Sequence, residues 1–158
     1  MMKRILIILA LLVGQLSVFA QKEQDFATRF MDIHGDTYEE LTCSTVSPFM
    51  MEQIMKLDTI GTNRGLRKVL SQLKSIKIVG AKRENIGDSL FSKATELARR
   101  NKKRYKLYTN DKERQIYLRQ RNKIIVEMVF ITKQHDDFSI VNLTGNMNPS
   151  FLKELTNM

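Results

Sequence analysis

A disulfide framework is the first thing this sequence excludes. Its 158 residues hold a single cysteine, Cys43, and an exported domain stapled by disulfides needs them in pairs. The fold therefore has to hold by packing alone. Within Tyr38–Val46 the thiol shares strand parity with Leu41, so Cys43 reads as a small buried hydrophobe rather than a reactive nucleophile or an intermolecular bridge. Tryptophan is absent and there are two prolines and seven glycines, with no Pro/Gly/Ser-rich linker to divide the chain. No second long apolar run follows the N-terminus, so no further membrane span is expected. The motifs of several chemistries are missing too: there is no Gly-x-Ser-x-Gly elbow, no phosphate-cradling glycine-rich loop and no His-Glu-x-x-His zinc helix. Glu39/Glu40 and Asp136/Asp137 are paired carboxylates, but sequence neighbours point apart or lie in turns, a poor geometry for acid–base work. The chain is accordingly expected not to be an enzyme, with no catalytic residue and no cofactor.

Histidine is scarce as well, with two in the sequence. Asp32-Ile33-His34-Gly35-Asp36 and His135-Asp136-Asp137 are thin candidates for holding a metal ion. Lone histidines in loops are more often solvated turn residues, so no metal site is assigned. Met50, Met51 and Met55 recur at helical spacing and read as core filling rather than soft-metal ligands.

What is present begins with an address. Lys3 and Arg4 form a positive start, Ile5–Val13 an apolar run, and Val18-Phe19-Ala20 a small-residue cleavage pattern, the form of a secretory signal peptide over residues 1–20. Gly14, Gln15 and Ser17 interrupt the run too early for a membrane anchor, and no cysteine stands at the cleavage point to carry lipid. The expectation is export, periplasmic or secreted, as a single domain over residues 21–158, with no transmembrane segment after cleavage. Lys and Arg outnumber Asp and Glu by 26 to 17, a net charge of +9. That basic balance fits an anionic neighbour and fits ordinary solubility equally well.

The chain is organised around Lys123–Thr132, an apolar, β-branched run that reads as a central buried strand. Its one acid, Glu127, shares parity with Ile125, Val129 and Ile131. A buried Glu127 would need a cation, Arg119 or Arg121, and would mark a site; the simpler expectation is that this face is open to water. Tyr105–Thr109, Gln115–Gln120 and Phe138–Gly145 are further strands, joined by turn-forming clusters at Asn110–Glu113, Asn122 and His135–Asp137. Together with the central strand they make a four-strand antiparallel meander. In Gln115–Gln120, Ile116 and Leu118 are expected to face inward and Tyr117, Arg119 and Arg121 outward.

Upstream, Phe26, Phe30 and Ile33 suggest a short helix, and Tyr38–Val46 an edge strand. Ser47-Pro48 is a strong helix start, opening a helix that buries Met51, Ile54, Met55 and Met50. Asp58–Gly65 reads as a loop, Leu66–Leu73 as an amphipathic helix, and Ser75–Gly80 as a strand. Asp88 or Ser89 is expected to cap a helix carrying Leu90, Ala94, Leu97 and Ala98. Asn148-Pro149 starts a last helix with Phe151, Leu152 and Leu155 inward. The whole is an α+β pattern: one antiparallel sheet with helices packed on one face.

At this point the segment Leu73-Lys74-Ser75-Ile76-Lys77-Ile78, the basic meander, the apolar strand and the terminal strand ending near Thr144-Gly145 resemble an exported bacterial family catalogued as domain of unknown function 4252. The resemblance covers most of the chain beyond the leader and rests on hydrophobic patterns. It implies an exported or envelope location and carries over no catalytic residue. Many members look like lipoproteins, whereas this chain lacks the anchoring cysteine.

Two groups of residues stand out as candidate sites. Arg99, Arg100, Lys102, Lys103, Arg104 and Lys106 form the densest charge cluster. With Tyr117, Arg119 and Arg121 on one exposed sheet face, it would interleave cations with an aromatic, as polyanion binders do. The plainer reading is that cations at a helix C-terminus complement its dipole and keep the face solvated. An exported protein meets anionic lipid or glycan more readily than nucleic acid. Asp58-Thr59-Ile60 and Asp88-Ser89-Leu90 resemble a tripeptide that some bacteria O-glycosylate, at Thr59 and Ser89. The function expected is a non-catalytic binding or regulatory module for an envelope protein or ligand, the alternative being a polyanion or membrane-surface binder using the basic patch.

Overall fold

The computed structural model describes residues 23–83 and 85–157, so the leader expected over residues 1–20 lies outside the described residues. In chain order the elements are helix α1 (Phe26–His34), strand β1 (Thr42–Val46), and helices α2 (Pro48–Met55), α3 (Asp58–Thr62) and α4 (Arg64–Leu70). Strand β2 (Leu73–Lys82) and helix α5 (Gly87–Arg100) follow. Strands β3 (Lys106–Asn110), β4 (Arg114–Arg121), β5 (Ile124–Gln134) and β6 (Asp137–Met147) then lead to helix α6 (Phe151–Thr156). The strands make one sheet in the order β1-β2-β6-β5-β4-β3, every neighbouring pair antiparallel.

The meander from β3 to β6 follows from its turns. Asn122 and Lys123 both take positive φ, 48° and 68°, the left-handed pair that matches the twist of a two-residue hairpin. His135 does the same at 54° between β5 and β6. β5, the apolar run, lies between β4 and β6 and is covered on both sides.

On the first face, α1 and α5 pack over Val79, Ala81, Tyr117, Val129, Ile131, Phe138 and Ile140. α5 contributes Leu90, Ala94 and Ala98 at helical spacing, and α1 contributes Phe26, Ala27 and Phe30. On the second face Leu118, Met128 and Leu143 pack with Val69 of α4 and Phe151 of α6, so two short helices close one end of that face. This is an α+β architecture, an antiparallel sheet with its C-terminal strands in a meander and its two main helices on one face.

Several local expectations are corrected. Cys43 is exposed, not buried, because β1 is the edge strand and is exposed along nearly its whole length. Ser47 caps α2 as expected, accepting from Met50 N at 3.2 Å, but Met50 itself is exposed and only Met51 is buried in that helix. Asp58–Thr62 is a short helix rather than loop; Asp58 stands in its first turn, where an acid favours the helix dipole. α5 begins at Gly87, one residue earlier than Asp88, and has no side-chain cap. Asp88 instead pairs with Lys133, and the Ser89 hydroxyl lies 3.3 Å from that of Tyr38. Among the described residues no helix is long and apolar enough to cross a membrane.

Candidate functional site

The expectation that Glu127 faces water is overturned: its side chain is fully buried. It shares the covered face of Val129 and Ile131, and a bulge takes Ile125 off that face. Arg119 pairs with Glu127, but the next β4 residue, Gln120, pairs with Ile125, leaving Val126 as the extra residue. The bulge breaks the alternation that would place Ile125 and Glu127 on one face. Ile125 packs into the second-face cluster, while Glu127 points under α1 on the first.

Four donors meet its carboxylate. Oε1 accepts from Phe26 N at 2.6 Å and Asn142 Nδ2 at 3.1 Å. Oε2 accepts from Arg119 Nε at 2.7 Å and the Tyr105 hydroxyl at 3.2 Å. Asn142, buried on β6, turns its Oδ1 to Ala27 N at 2.7 Å. Asp25, the N-cap of α1, accepts from Thr28 N at 2.9 Å. The first three residues of a helix have backbone N–H groups with no partner inside it. Here Glu127, Asn142 and Asp25 take one each, two of them from across the sheet. The carboxylate also lies at the positive end of the helix dipole.

Electrostatics around the cluster follow from this geometry. Burial and the Glu127 charge push the Tyr105 phenol well above its ordinary range. Tyr105 also meets Phe26 edge-on at 5.5 Å and carries the Arg104 guanidinium over its ring. Burial would raise the Asp25 carboxyl, but the hydrogen bond and charge of Lys77, 2.7 Å away, with the Thr28 bond, outweigh it and hold the group below its usual value.

Outside the buried carboxylate lies a mouth of arginines. Arg119 Nη1 donates to Glu23 Oε2 at 3.0 Å, Arg121 Nη2 donates to the same oxygen, and Arg104 Nη1 stands 3.6 Å from Glu23 Oε1. Arg104 Nη2 also donates to the Gln24 carbonyl. A small cavity of about 310 Å³ opens here, lined by these arginines with Lys103 and Gln120.

The expected basic patch is therefore split. Arg99, Arg100, Lys102, Lys103 and Lys106 are exposed, with Arg100 paired to Glu96 one turn back. Arg104, Arg119 and Arg121 are drawn together by the chain's own Glu23 and Glu127. Tyr117 is not on an exposed face: it is 2% accessible, packed beneath α5, and burial raises its phenol pKa. The outward orientation expected for Tyr117 and Arg119 fails because Tyr117 packs into the first-face core and Arg119 turns to the buried Glu127. Thr59 and Ser89 are both exposed. Glu23, Asp25, Tyr105 and Asn142 were not singled out from the sequence. The available signal was that Glu127 and Asn142, polar residues on neighbouring strands, share parity with apolar residues, Val129 and Ile131 on one strand and Phe138 and Ile140 on the other.

A second concavity lies on the other sheet face, at the end away from α4 and α6. β1, β2, β5 and β6 leave a cleft of about 700 Å³ there, lined by Thr42, Gly80, Lys82, Thr132, Gln134 and Ser139. The Thr132 and Ser139 hydroxyls lie 2.7 Å apart, and the Thr42 hydroxyl donates to the Gly80 carbonyl at 3.3 Å. Short side chains keep this part of the sheet open.

Residues 37–155 match the family described as Domain of unknown function (DUF4252). The matched span takes in every strand of the sheet and begins beyond α1. No curated protein and no solved structure matches the chain.

Proposed function

This chain belongs to the DUF4252 family, and from that premise we propose that it is an exported envelope protein, a non-catalytic binding module whose partner lies in the cleft on the second sheet face. The cleft is the observation that carries the reading. Concave, largely pre-formed surfaces with a few placed polar groups are where proteins take ligands. Here hydroxyls from Thr42, Thr132 and Ser139, the Gln134 amide and the Lys82 ammonium stand around a floor kept low by Gly80. The buried carboxylate supports the reading from the other side, since its four donors come from the chain itself and it serves to seat α1. Export is supported by the leader pattern of residues 1–20.

The test fills the cleft. Cross-linking and co-purification from the native envelope fraction should recover a partner with the wild-type chain and lose it with Ser139→Trp, while the circular-dichroism melt is unchanged. Recovery of the wild-type chain alone, or equal recovery with both, ends this reading. An intact mass starting at Gln21 would test export with cleavage.

A second reading, binding to an anionic membrane surface or glycan, is favoured by the exposed run of Arg99, Arg100, Lys102, Lys103 and Lys106. Elution from heparin at low salt, unchanged when Arg99, Arg100, Lys102 and Lys103 become Ser, would remove it.

A further inference from the structure

We propose that Arg104, Arg119 and Arg121 form a binding site for a phosphate group, and that Glu23 occupies it as an internal stand-in. The guanidiniums converge on one carboxylate and address both of its oxygens. Planar guanidinium forks suit phosphate oxygens as well as they suit carboxylates. The Glu23 carboxylate is a poor match in charge. Glu127 balances one arginine and Glu23 a second, so the third, with Lys103 at the rim, leaves the mouth positive. With Glu23 swung aside, the three arginines less Glu127 carry two positive charges, which a phosphate monoester with close to two negative charges would balance, Lys103 remaining as an attracting charge at the rim. Arg104 Nε is buried with no hydrogen-bond partner among the described residues, a donor that the carboxylate leaves unused.

Glu23 is also placed to leave. Its side chain is 40% exposed and that of Arg121 is 64% exposed, so the mouth is open to solvent. The seat of α1 does not depend on Glu23: Phe26 N, Ala27 N and Thr28 N are held by Glu127, Asn142 and Asp25, and Asp25 by Lys77. Glu23 can therefore swing aside while the helix stays docked, uncovering Arg104, Arg119 and Arg121 together. This site lies on the first sheet face and is independent of the cleft.

The experiment is calorimetric titration, at fixed ionic strength, of the full chain and its Glu23→Gln variant with inorganic phosphate and with glycerol phosphate. Glu23→Gln should bind at least about tenfold more tightly than wild type, and Glu23→Gln combined with Arg121→Ser should lose that gain. Vesicles of phosphatidylcholine with and without phosphatidic acid form the second arm. Preference for phosphatidic acid beyond free phosphate assigns the group to a lipid headgroup, and its absence assigns it to a soluble monoester. Equal binding by wild type and Glu23→Gln overturns the proposal, as does a gain that survives Arg121→Ser. Unchanged protection of the Phe26 and Ala27 amides in hydrogen exchange shows that α1 remains seated in each variant.

Discussion

Glu127 and Arg119 stand opposite one another in the register of β5 and β4, and Arg119 Nε donates to Glu127 Oε2 at 2.7 Å. The acid is fully buried and the arginine side chain only 13% exposed, so neither has enough water to replace the other. Removing one partner of such a pair leaves a charge with little solvation.

Glu127→Gln keeps the shape but turns an amide N–H₂ toward two donors, Arg119 Nε and the Tyr105 hydroxyl. A loss of about 3 kcal/mol is expected in urea unfolding, with Arg119→Met similar in size. The double variant should fall short of the sum of the singles by about 2 kcal/mol, the coupling of a contacting pair. Simple additivity would show that the two side chains do not act together.

Asp25 gives a dependence on acid. Its folded-state carboxyl is held below its ordinary value of 3.8 by Lys77 and Thr28 against the opposing effect of burial. A depressed carboxyl contributes stability that is fully present above the unfolded value and is lost as pH falls through the folded one. Asp25→Asn preserves the cap and removes the ion pair. The variant should be about 1 kcal/mol less stable than wild type at neutral pH, with the gap closing as pH drops below 3.8. Melting temperature against pH for the two proteins measures it, and a gap that persists at the acid end contradicts the assignment.

Gly145 lies where β6 passes the start of β2. A Cβ there would sit 2.1 Å from the Gln72 carbonyl oxygen and 2.9 Å from Leu73 Cα, backbone atoms that have no rotamer to yield. Gly145→Ala should cost about 3 kcal/mol or more, seen as a lower urea midpoint or loss of soluble protein. At Gly80 the nearest atom is 3.7 Å away, and Gly80→Ala should fold normally.

Cys43 should react with an aromatic disulfide reagent in the folded protein at nearly the rate seen in urea, because β1 leaves it exposed. Protection in the native state would mean that something covers the sheet edge.

The backbone plan was legible in the sequence because its signals are local. Ser47-Pro48, the stripe of Leu90, Ala94 and Ala98, and the turn residues Asn122 and His135 each act within a few residues. The candidate site was not legible, because it depends on which side of a strand is covered. Ile116 and Leu118 look inward and Tyr117 and Arg119 outward on an alternating strand, yet Tyr117 joins the first-face core and Arg119 the buried carboxylate cluster as well. Glu127 was misread for the same reason, and the bulge at Val126 changes face in a way that no count of alternate residues reveals. α1 is the hardest element, since what fixes it is the pair of acceptors at residues 127 and 142.

Those acceptors also set an order of events. Phe26 waits for a partner 101 residues further along the chain, and Ala27 for one 115 residues away. Contacts of such long reach form only after the intervening chain has been brought together. Helix α1 has no seat until β6 is made. A chain cut short before residue 142 carries an amphipathic helix with Phe26 and Phe30 uncovered, the kind of surface on which incomplete chains aggregate.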